Sequence, residues 1–95
     1  MVRRDLALVV DEAVAVQQLI DAMIRAAPPF VVAVRPFDLF RGGGLPNGRK
    51  SVAILVLMQD TARTLTAAEI EGAVEALAAT AHRELGATLR SQDAR

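Results

Sequence analysis

Residues 50–59 include seven consecutive apolar residues that are rich in branched side chains and too few for a typical isolated helix. Glycine and proline clusters precede this segment at Gly42-Gly43-Gly44 and Pro46-Asn47-Gly48, and such clusters are typical of turns. Residues 30–40, before the clusters, form a second segment rich in Val and Phe. The pattern predicts a β-hairpin, and Pro36 indicates that its first strand lies at a sheet edge or contains a bulge.

Two further segments carry apolar residues at the spacing of an amphipathic helix. The apolar stripe of the first consists of Val16, Leu19, Ile20, Met23 and Ala27, and Pro28-Pro29 ends this helix. The second segment begins with Thr66 and Glu69 at the spacing of a capping box, and Gly86 is typical of its end. Its apolar stripe consists of Ile70, Val74, Leu77, Ala81 and Leu85.

Short strands are predicted at residues 6–10 and 87–90, before the first helix and after the second. The resulting order predicts an α+β, ferredoxin-like βαββαβ fold, in which two helices pack on one face of a four-stranded antiparallel sheet. Because 95 residues hold only one hydrophobic core, we expect a single domain over residues 1–95, with a frayed tail over 91–95.

Composition narrows the possible functions. The chain has no cysteine and only one histidine, which excludes disulfides, thiolate catalysis and multi-histidine metal sites, so we expect no cofactor in this domain. No apolar run has the length of about 20 residues that crosses a bilayer, and the N-terminus lacks a signal-peptide pattern, so we expect a soluble, cytoplasmic protein without a membrane partner. Eleven basic and eleven acidic side chains cancel, and total charge therefore does not point to nucleic acid.

Catalytic motifs are weak. The stretch from Gly43 to Ser51 superficially resembles a phosphate-binding loop, but its spacing is one residue too long, and a strand follows where a helix is required. His82 has no ligand set beside it and is predicted to be structural. The sheet would separate Ser51 from His82, which rules out a catalytic triad. We therefore expect a non-catalytic domain.

Side-chain alternation along each strand decides which residues face the helices. In the third strand the better inner set is Val52, Ile54, Val56 and Met58. The remaining residues of that strand are then predicted on the open face: Ser51, Ala53, Leu55 and Leu57. The same rule predicts inward positions for Phe37, Leu39 and Leu89. It predicts outward positions for Asp38, Phe40, Thr88 and Arg90.

The open face is thus predicted to gather a ring, a carboxylate, a hydroxyl and a guanidinium, from Phe40, Asp38, Ser51 and Arg90. Such a set suits an unpaired base, because the ring can stack, the carboxylate can accept from base N–H groups, and the guanidinium can bind a phosphate or carbonyl. The pattern alone is also compatible with four ordinary surface and edge residues.

Four stretches carry a family resemblance over nearly the whole chain: RRDLALVVDE, FDLFRGGGLPNGRKS, MQDTARTLT and GATLR. In order and spacing they resemble the ferredoxin-fold anticodon-binding domain that closes the β subunit of bacterial phenylalanyl-tRNA synthetase. The resemblance implies that the open face binds the anticodon loop of phenylalanine tRNA. In that family the first anticodon base lies against the positions that match Asp38, Phe40, Ser51 and Arg90.

The resemblance also implies partners outside this chain. The remainder of the α/β synthetase would be one of them, ATP and Mg would belong to that remainder, and the chain, which begins at Met1-Val2, would be an excised domain. The leading hypothesis is therefore sequence-selective binding of the anticodon loop, with phosphates contacted by Arg41, Arg49 and Lys50.

Three positions depart from the family pattern. Phe40 replaces the usual Tyr, which keeps the ring and loses the phenolic hydrogen bond. Leu55 stands where the family often has a polar or basic residue, and Ile54 where it often has an aromatic one. With Val9 and Leu57, Leu55 is predicted to form an exposed apolar patch. A second hypothesis therefore stays open, that of a regulatory or assembly module that forms a homodimer through its open sheet face.

Overall fold

A computed structural model describes the backbone of residues 1–94 and the side chains of residues 1–90. The elements are β1 (Val2–Asp11), α1 (Val16–Ala26), β2 (Val31–Arg41), β3 (Arg49–Met58), α2 (Ala67–Leu85) and β4 (Thr88–Ala94). This order confirms the predicted βαββαβ arrangement.

The four strands form one antiparallel sheet in the order β2-β3-β1-β4. Its centre is the pair β1 and β3, whose ladder runs without interruption from Val2↔Met58 to Asp11↔Arg49. Strands β2 and β4 are the two edges. Both helices pack on one face of this sheet, as predicted, and the other face is open.

The core lies between the helices and the even-numbered residues of the two central strands. From the sheet it receives Leu6, Leu8, Val10, Val52, Ile54, Val56 and Met58, all fully or almost fully buried. From the helices it receives Leu19, Ile20, Met23, Ile70, Val74, Leu77 and Ala81. Each large aliphatic side chain buried in this way stabilises the fold by about 1.5–3 kcal/mol. The predicted inner set of β3 is therefore confirmed, and the odd-numbered residues of β1 and β3 face the open side.

Helix α2 is closed at both ends by the predicted local signals. Thr66 Oγ1 accepts from the Glu69 N–H at 3.1 Å, while the Glu69 carboxylate accepts from the Thr66 N–H at 3.0 Å. Gly86 ends the helix with a φ of 68°, a left-handed conformation that glycine adopts without steric cost. At the same end, His82 Nδ1 lies 2.9 Å from the Ala87 carbonyl oxygen.

Strand β2 departs from simple alternation. Its register with β3 shifts between Pro36 and Asp38, so Phe37 is an extra residue in a bulge. Pro36 therefore marks both a sheet edge and a bulge. The predicted inward position of Phe37 is wrong, since the side chain is 49% exposed on the open face, where it meets a guanidinium from β1. Leu39 faces inward as predicted, since it pairs with the inner residue Val52, but it is 40% exposed because the edge strand is little covered at this end.

Strand β4 also contains a shift, where Leu8↔Leu89 is followed by Ala7↔Ser91 and Arg90 is the extra residue. Leu89, predicted to be a core residue, is 48% exposed at the sheet edge, and Ala87 is buried instead. The strand continues to Ala94, beyond the predicted end at residue 90. The prediction of a frayed tail concerns residues 91–95, whose side chains lie outside the described part of the chain.

The first turn of α2 carries an ion-pair cluster. Arg63 donates two hydrogen bonds to the Glu69 carboxylate, and its Nε lies 3.5 Å from Asp60 Oδ2. These bonds from Arg63, together with those from Thr66, lower the pKa of Glu69 from its ordinary 4.5 to about 2. Glu69 therefore favours the folded state in its ionised form.

This lowered pKa predicts a pH dependence of stability. A carboxylate with a depressed folded-state pKa stabilises the fold above its unfolded pKa, and that contribution is lost as the pH falls through the folded value. Between pH 4.5 and about pH 2, we expect the free energy of unfolding to fall more steeply in the wild type than in Glu69→Gln. Urea denaturation followed by circular dichroism at each pH measures this. Glu75→Gln, on the same helix, is the matched control, and parallel curves for wild type and Glu69→Gln would contradict the expectation.

Candidate functional site

A cavity of about 240 Å³ lies on the open face of the sheet. Its floor is made by Ala7 and Ala53, which are paired across β1 and β3 and whose methyl side chains leave room that larger residues would fill. The complete lining is Ala7, Asp38, Phe40, Ser51, Ala53 and Arg90. The structure thus brings together the four residues that alternation predicted on this face. The volume is smaller than that of drug-sized pockets, at roughly 300–1,000 Å³, and suits one planar group.

The Phe40 ring forms one wall of the cavity and is held from two sides. The Arg90 guanidinium lies over the ring, 5.2 Å from its centroid, in a cation–π contact. On the loop side, a Cβ placed on Gly43 would lie only 2.5 Å from Phe40 Cζ. Glycine at position 43 therefore allows the loop backbone to touch the ring, which remains 37% exposed for a further contact.

Asp38 and Ser51 supply polar groups beside the ring. Asp38 Oδ1 accepts from the Leu39 N–H at 2.8 Å, which orients the carboxylate and leaves further acceptor capacity. Ser51 pairs with Phe40 across β2 and β3, is only 4% exposed, and has a hydroxyl that can donate and accept. The cavity therefore has an acceptor on one wall and a mixed donor and acceptor at its base.

Arg90 supplies the cation. Within the described part of the chain, no carboxylate forms an ion pair with it, and its described contact is the one with Phe40. Its position in the β4 bulge places the guanidinium at the edge of the cavity. The cation can therefore meet a phosphate or a carbonyl oxygen of a bound molecule.

Two residues predicted to contact phosphates lie away from the cavity. Arg41 pairs with Lys50, and Lys50 pairs with Val10, whose side chain faces the helices. Residues paired across the strands in this way form a row on one face of the sheet, so Arg41 and Lys50 also face the helices. Arg41 Nε donates to the Glu12 carboxylate at 2.9 and 3.0 Å, and these bonds lower the pKa of Glu12 below its ordinary value. Lys50 is 6% exposed, and its Nζ donates to the Glu12 carbonyl oxygen at 3.2 Å. Strand alternation thus carries both cations to the side opposite the cavity.

The third residue predicted to contact phosphates lies on the open face. Arg49 pairs with Asp11 in an open-face row at the glycine-loop end of the sheet, two residues before Ser51. Its side chain is partly exposed. Of the three flanking cations, Arg49 is therefore the one placed to extend the cavity.

Charged residues on the neighbouring strands flank the predicted apolar patch. Val9, Leu55 and Leu57 face the open side and are partly exposed. Leu55 lies between Asp5 and Arg35 in its row, and Leu57 pairs with Arg3 on β1. Leu55 and Leu57 are neighbours on this face, whereas the Ala7–Ala53 pair separates Val9 from them, and homodimerisation through this face stays a prediction.

A larger cavity, of about 520 Å³, lies at the opposite end of the hairpin. It is lined by Pro29, Phe30, Gln59, Asp60, Thr61 and Arg63. Its guanidinium, that of Arg63, is already bound to Glu69 and Asp60. We place the candidate site at the smaller cavity because its cation has no anionic partner among the described residues and its ring is exposed.

Sequence reasoning missed two features of the site. The two alanines of the floor have no chemical signature, although their odd-numbered positions on paired strands place them on the open face. The contact between Gly43 and Phe40 was hidden, because a glycine cluster predicts a turn and not the ring that packs against it. Both features depend on the pairing register of β1, β2 and β3, which the sequence does not show.

The described residues support neither a metal site nor a membrane-spanning helix. Among them, no group of three or more His, Asp or Glu side chains is arranged to hold a metal ion. None of the helices in this part of the chain has the length and apolar composition needed to span a membrane.

Comparisons with known proteins agree with this architecture. The sequence model of one family, described as the ferredoxin-fold anticodon binding domain, matches residues 1–90. The chain is 52% identical over 89 residues to the phenylalanine–tRNA ligase β subunit of Chromobacterium violaceum, covering 94% of this chain and 11% of that protein. It is 47% identical over 89 residues to the same subunit of Aromatoleum aromaticum, with the same coverage. The chain therefore spans about a ninth of the length of these relatives.

The contact between Gly43 and Phe40 generates a prediction about the site's geometry. Gly43→Ala should displace the Phe40 ring, because the new methyl group would overlap it. Gly42→Ala is the matched control, since Gly42 also has a positive φ but no atom within 4 Å of the position that a methyl group would occupy. Each variant should lose about 1–2 kcal/mol through left-handed strain. Only Gly43→Ala should also shift the NMR signals of the Phe40 ring and Arg90 side chain. Equal shifts in both variants would contradict the proposed packing.

Proposed function

The chain belongs to the ferredoxin-fold anticodon-binding domain family, and we propose that it binds the anticodon loop of phenylalanine tRNA. The observation that carries the proposal is the convergence of Asp38, Phe40, Ser51 and Arg90 around one base-sized cavity. Phenylalanyl-tRNA aminoacylation would then be the activity of a larger β subunit and its assembly, of which this domain is the loop-binding part. The high identity to β subunits of phenylalanine–tRNA ligase supports this assignment.

Stacking on Phe40 is the main source of affinity in this proposal. A base–aromatic stack contributes about 1–3 kcal/mol, and the partly exposed Phe40 lines the cavity. Because Arg90 and the loop backbone at Gly43 hold the ring, little conformational entropy is lost when a base binds. The ring therefore acts as a preformed platform for one unpaired nucleotide.

The polar groups of the cavity supply selectivity. Asp38 accepts from a base N–H group, and Ser51 donates to or accepts from the base edge. A base that lacks the matching groups would leave these side chains unpaired when water is displaced, at a cost of about 1–3 kcal/mol. Arg90 then binds a carbonyl or phosphate oxygen of the same nucleotide.

The zero net charge limits the RNA affinity of the isolated domain. The net charge is zero, with eleven basic and eleven acidic residues, so long-range attraction for RNA is small. Arg49 and Arg90 lie near the cavity, whereas Arg41 and Lys50 are held by Glu12 on the other side. We therefore expect weak binding that decreases steeply with salt.

The proposal includes the setting of the domain. Its partners are the anticodon loop and the remainder of an α/β synthetase, which supplies further RNA contacts and raises the overall affinity. The domain works without a cofactor of its own, and ATP and Mg bind elsewhere in the assembly. The setting is the cytoplasm, where tRNA is charged for translation.

The test is a titration of the 95-residue chain with the anticodon stem-loop of phenylalanine tRNA at about 50 mM salt. We expect Phe40→Ala to weaken binding about tenfold or more, because it removes the stacking platform. Ala53→Leu, which fills the floor of the cavity, should have a similar effect while leaving the fold intact.

Leu39→Ala is the matched control. It removes an exposed apolar side chain from the same strand, but one that points to the helix side, so RNA affinity should not change. A stem-loop from a tRNA for another amino acid should bind more weakly to the wild type. Equal affinity for both stem-loops, unchanged in Phe40→Ala, would remove the assigned site.

A further inference from the structure

A second aromatic ring lies on the open face beside the cavity. The β2 bulge after Pro36 turns Phe37 to this side, where the side chain is 49% exposed. The Arg3 guanidinium lies over the ring, 5.5 Å from its centroid. The open face therefore carries two pairs of the same kind, Phe40 with Arg90 and Phe37 with Arg3.

Arg3 is held in place by a buried acid. Its Nε donates to Asp5 Oδ1 at 2.8 Å, and its Nη2 donates to Asp5 Oδ2 at 3.4 Å. The Asp5 side chain is almost fully buried, whereas the Arg3 side chain is 39% exposed. Two parallel bonds to one carboxylate fix the plane of a guanidinium. Arg3 is thus oriented by the buried Asp5 carboxylate and remains accessible to solvent.

Core packing does not account for this arrangement. A ring that is half exposed contributes little of the stabilisation that full burial would give. An exposed cation–π contact adds only about 0.5–1 kcal/mol. The pair leaves a flat, preformed surface in contact with solvent, and such surfaces are what unpaired bases stack on in single-stranded RNA.

We infer that Arg3 and Phe37 form a second stacking site, which takes a different unpaired nucleotide of the same RNA loop from the one held at Phe40. The inference rests on the proposed function and deepens it. Residues 37 and 40 are three apart in an extended strand, which separates their Cα atoms by roughly 10 Å. Stacked bases are only about 3.4 Å apart, so the two bases must be splayed from each other.

The two sites differ in chemistry. The cavity at Phe40 contains Asp38 and Ser51, which read a base edge. At Phe37 the neighbouring open-face residue on β3 is apolar Leu55, and the carboxylate of Asp5 is bound to Arg3. The second site therefore offers stacking, with the exposed Arg35 in the row of Leu55 as a cation that can meet a phosphate, and both contributions give affinity for any base.

This difference gives a sharp test with the 95-residue chain and two stem-loops, one from phenylalanine tRNA and one from another tRNA. We expect Phe37→Ala to weaken both complexes by a similar factor of about ten. Phe40→Ala should weaken the cognate complex more than the other, because the base is then no longer held against Asp38 and Ser51, and the preference for the cognate loop should fall. Phe37→Trp should retain affinity, Phe37→Leu should lose it, and Leu39→Ala should leave both complexes unchanged. Thermal unfolding of each variant checks that the fold is retained.

Fluorescence locates the two bases. With 2-aminopurine at each loop position in turn, stacking on a ring quenches its emission. We expect Phe37→Ala to abolish quenching at one position and Phe40→Ala to abolish it at another. Arg3→Gln, which removes the guanidinium over Phe37, should weaken quenching at the Phe37-dependent position only.

The outcomes separate this inference from the proposed function. If Phe40→Ala weakens binding and Phe37→Ala does not, the second stacking site is refuted and the anticodon-loop function stands. If both variants act on quenching at the same position, there is one site, and the inference is also refuted. If the wild type binds neither stem-loop, the proposed function fails and the second site fails with it.

Discussion

The uninterrupted pairing of β1 with β3 fixes both sides of the molecule at once. Along this ladder the even-numbered residues bury the core beneath the helices, and the odd-numbered residues form the open face. A slip of one residue would exchange the two sets, placing Leu6 and Ile54 in solvent. The hydrophobic energy that holds the core therefore also holds Ala7 and Ala53 in register at the floor of the cavity.

The chemical groups of the site come mainly from the two edge strands. Strand β2 provides a carboxylate and the Phe40 ring, β4 provides a guanidinium, and the central pair contributes small side chains and one hydroxyl. Both edges contain a bulge, at Phe37 and at Arg90. A bulge re-aims a side chain without disturbing the strands that build the core. The sheet thus separates a regular, buried centre from edges whose geometry is adapted for contact.

The sequence was sufficient for the order of elements, the inner set of β3, and the ends of α2, because each depends on local patterns. The resemblance of four stretches to the anticodon-binding family was confirmed by the match over residues 1–90. Alternation failed at Phe37 because a bulge adds one residue. At Leu89 it predicted the correct face, since Leu89 pairs with the inner residue Leu8, but an edge residue that no helix covers stays exposed. Alternation was not used to place Lys50. The burial of Lys50 and its bond to Glu12 depend on a contact between two residues that are 38 positions apart in the chain.

The bulge at Pro36 has a consequence for the free edge of the sheet. An edge strand presents unpaired N–H and C=O groups at regular intervals, which is the template that another chain needs to extend a sheet. Pro36 has no N–H to offer, and the extra residue after it breaks the interval. An incoming strand would lose its hydrogen-bonding repeat within a few residues. The feature that presents Phe37 to solvent thereby also makes this edge a poor template for the addition of another strand.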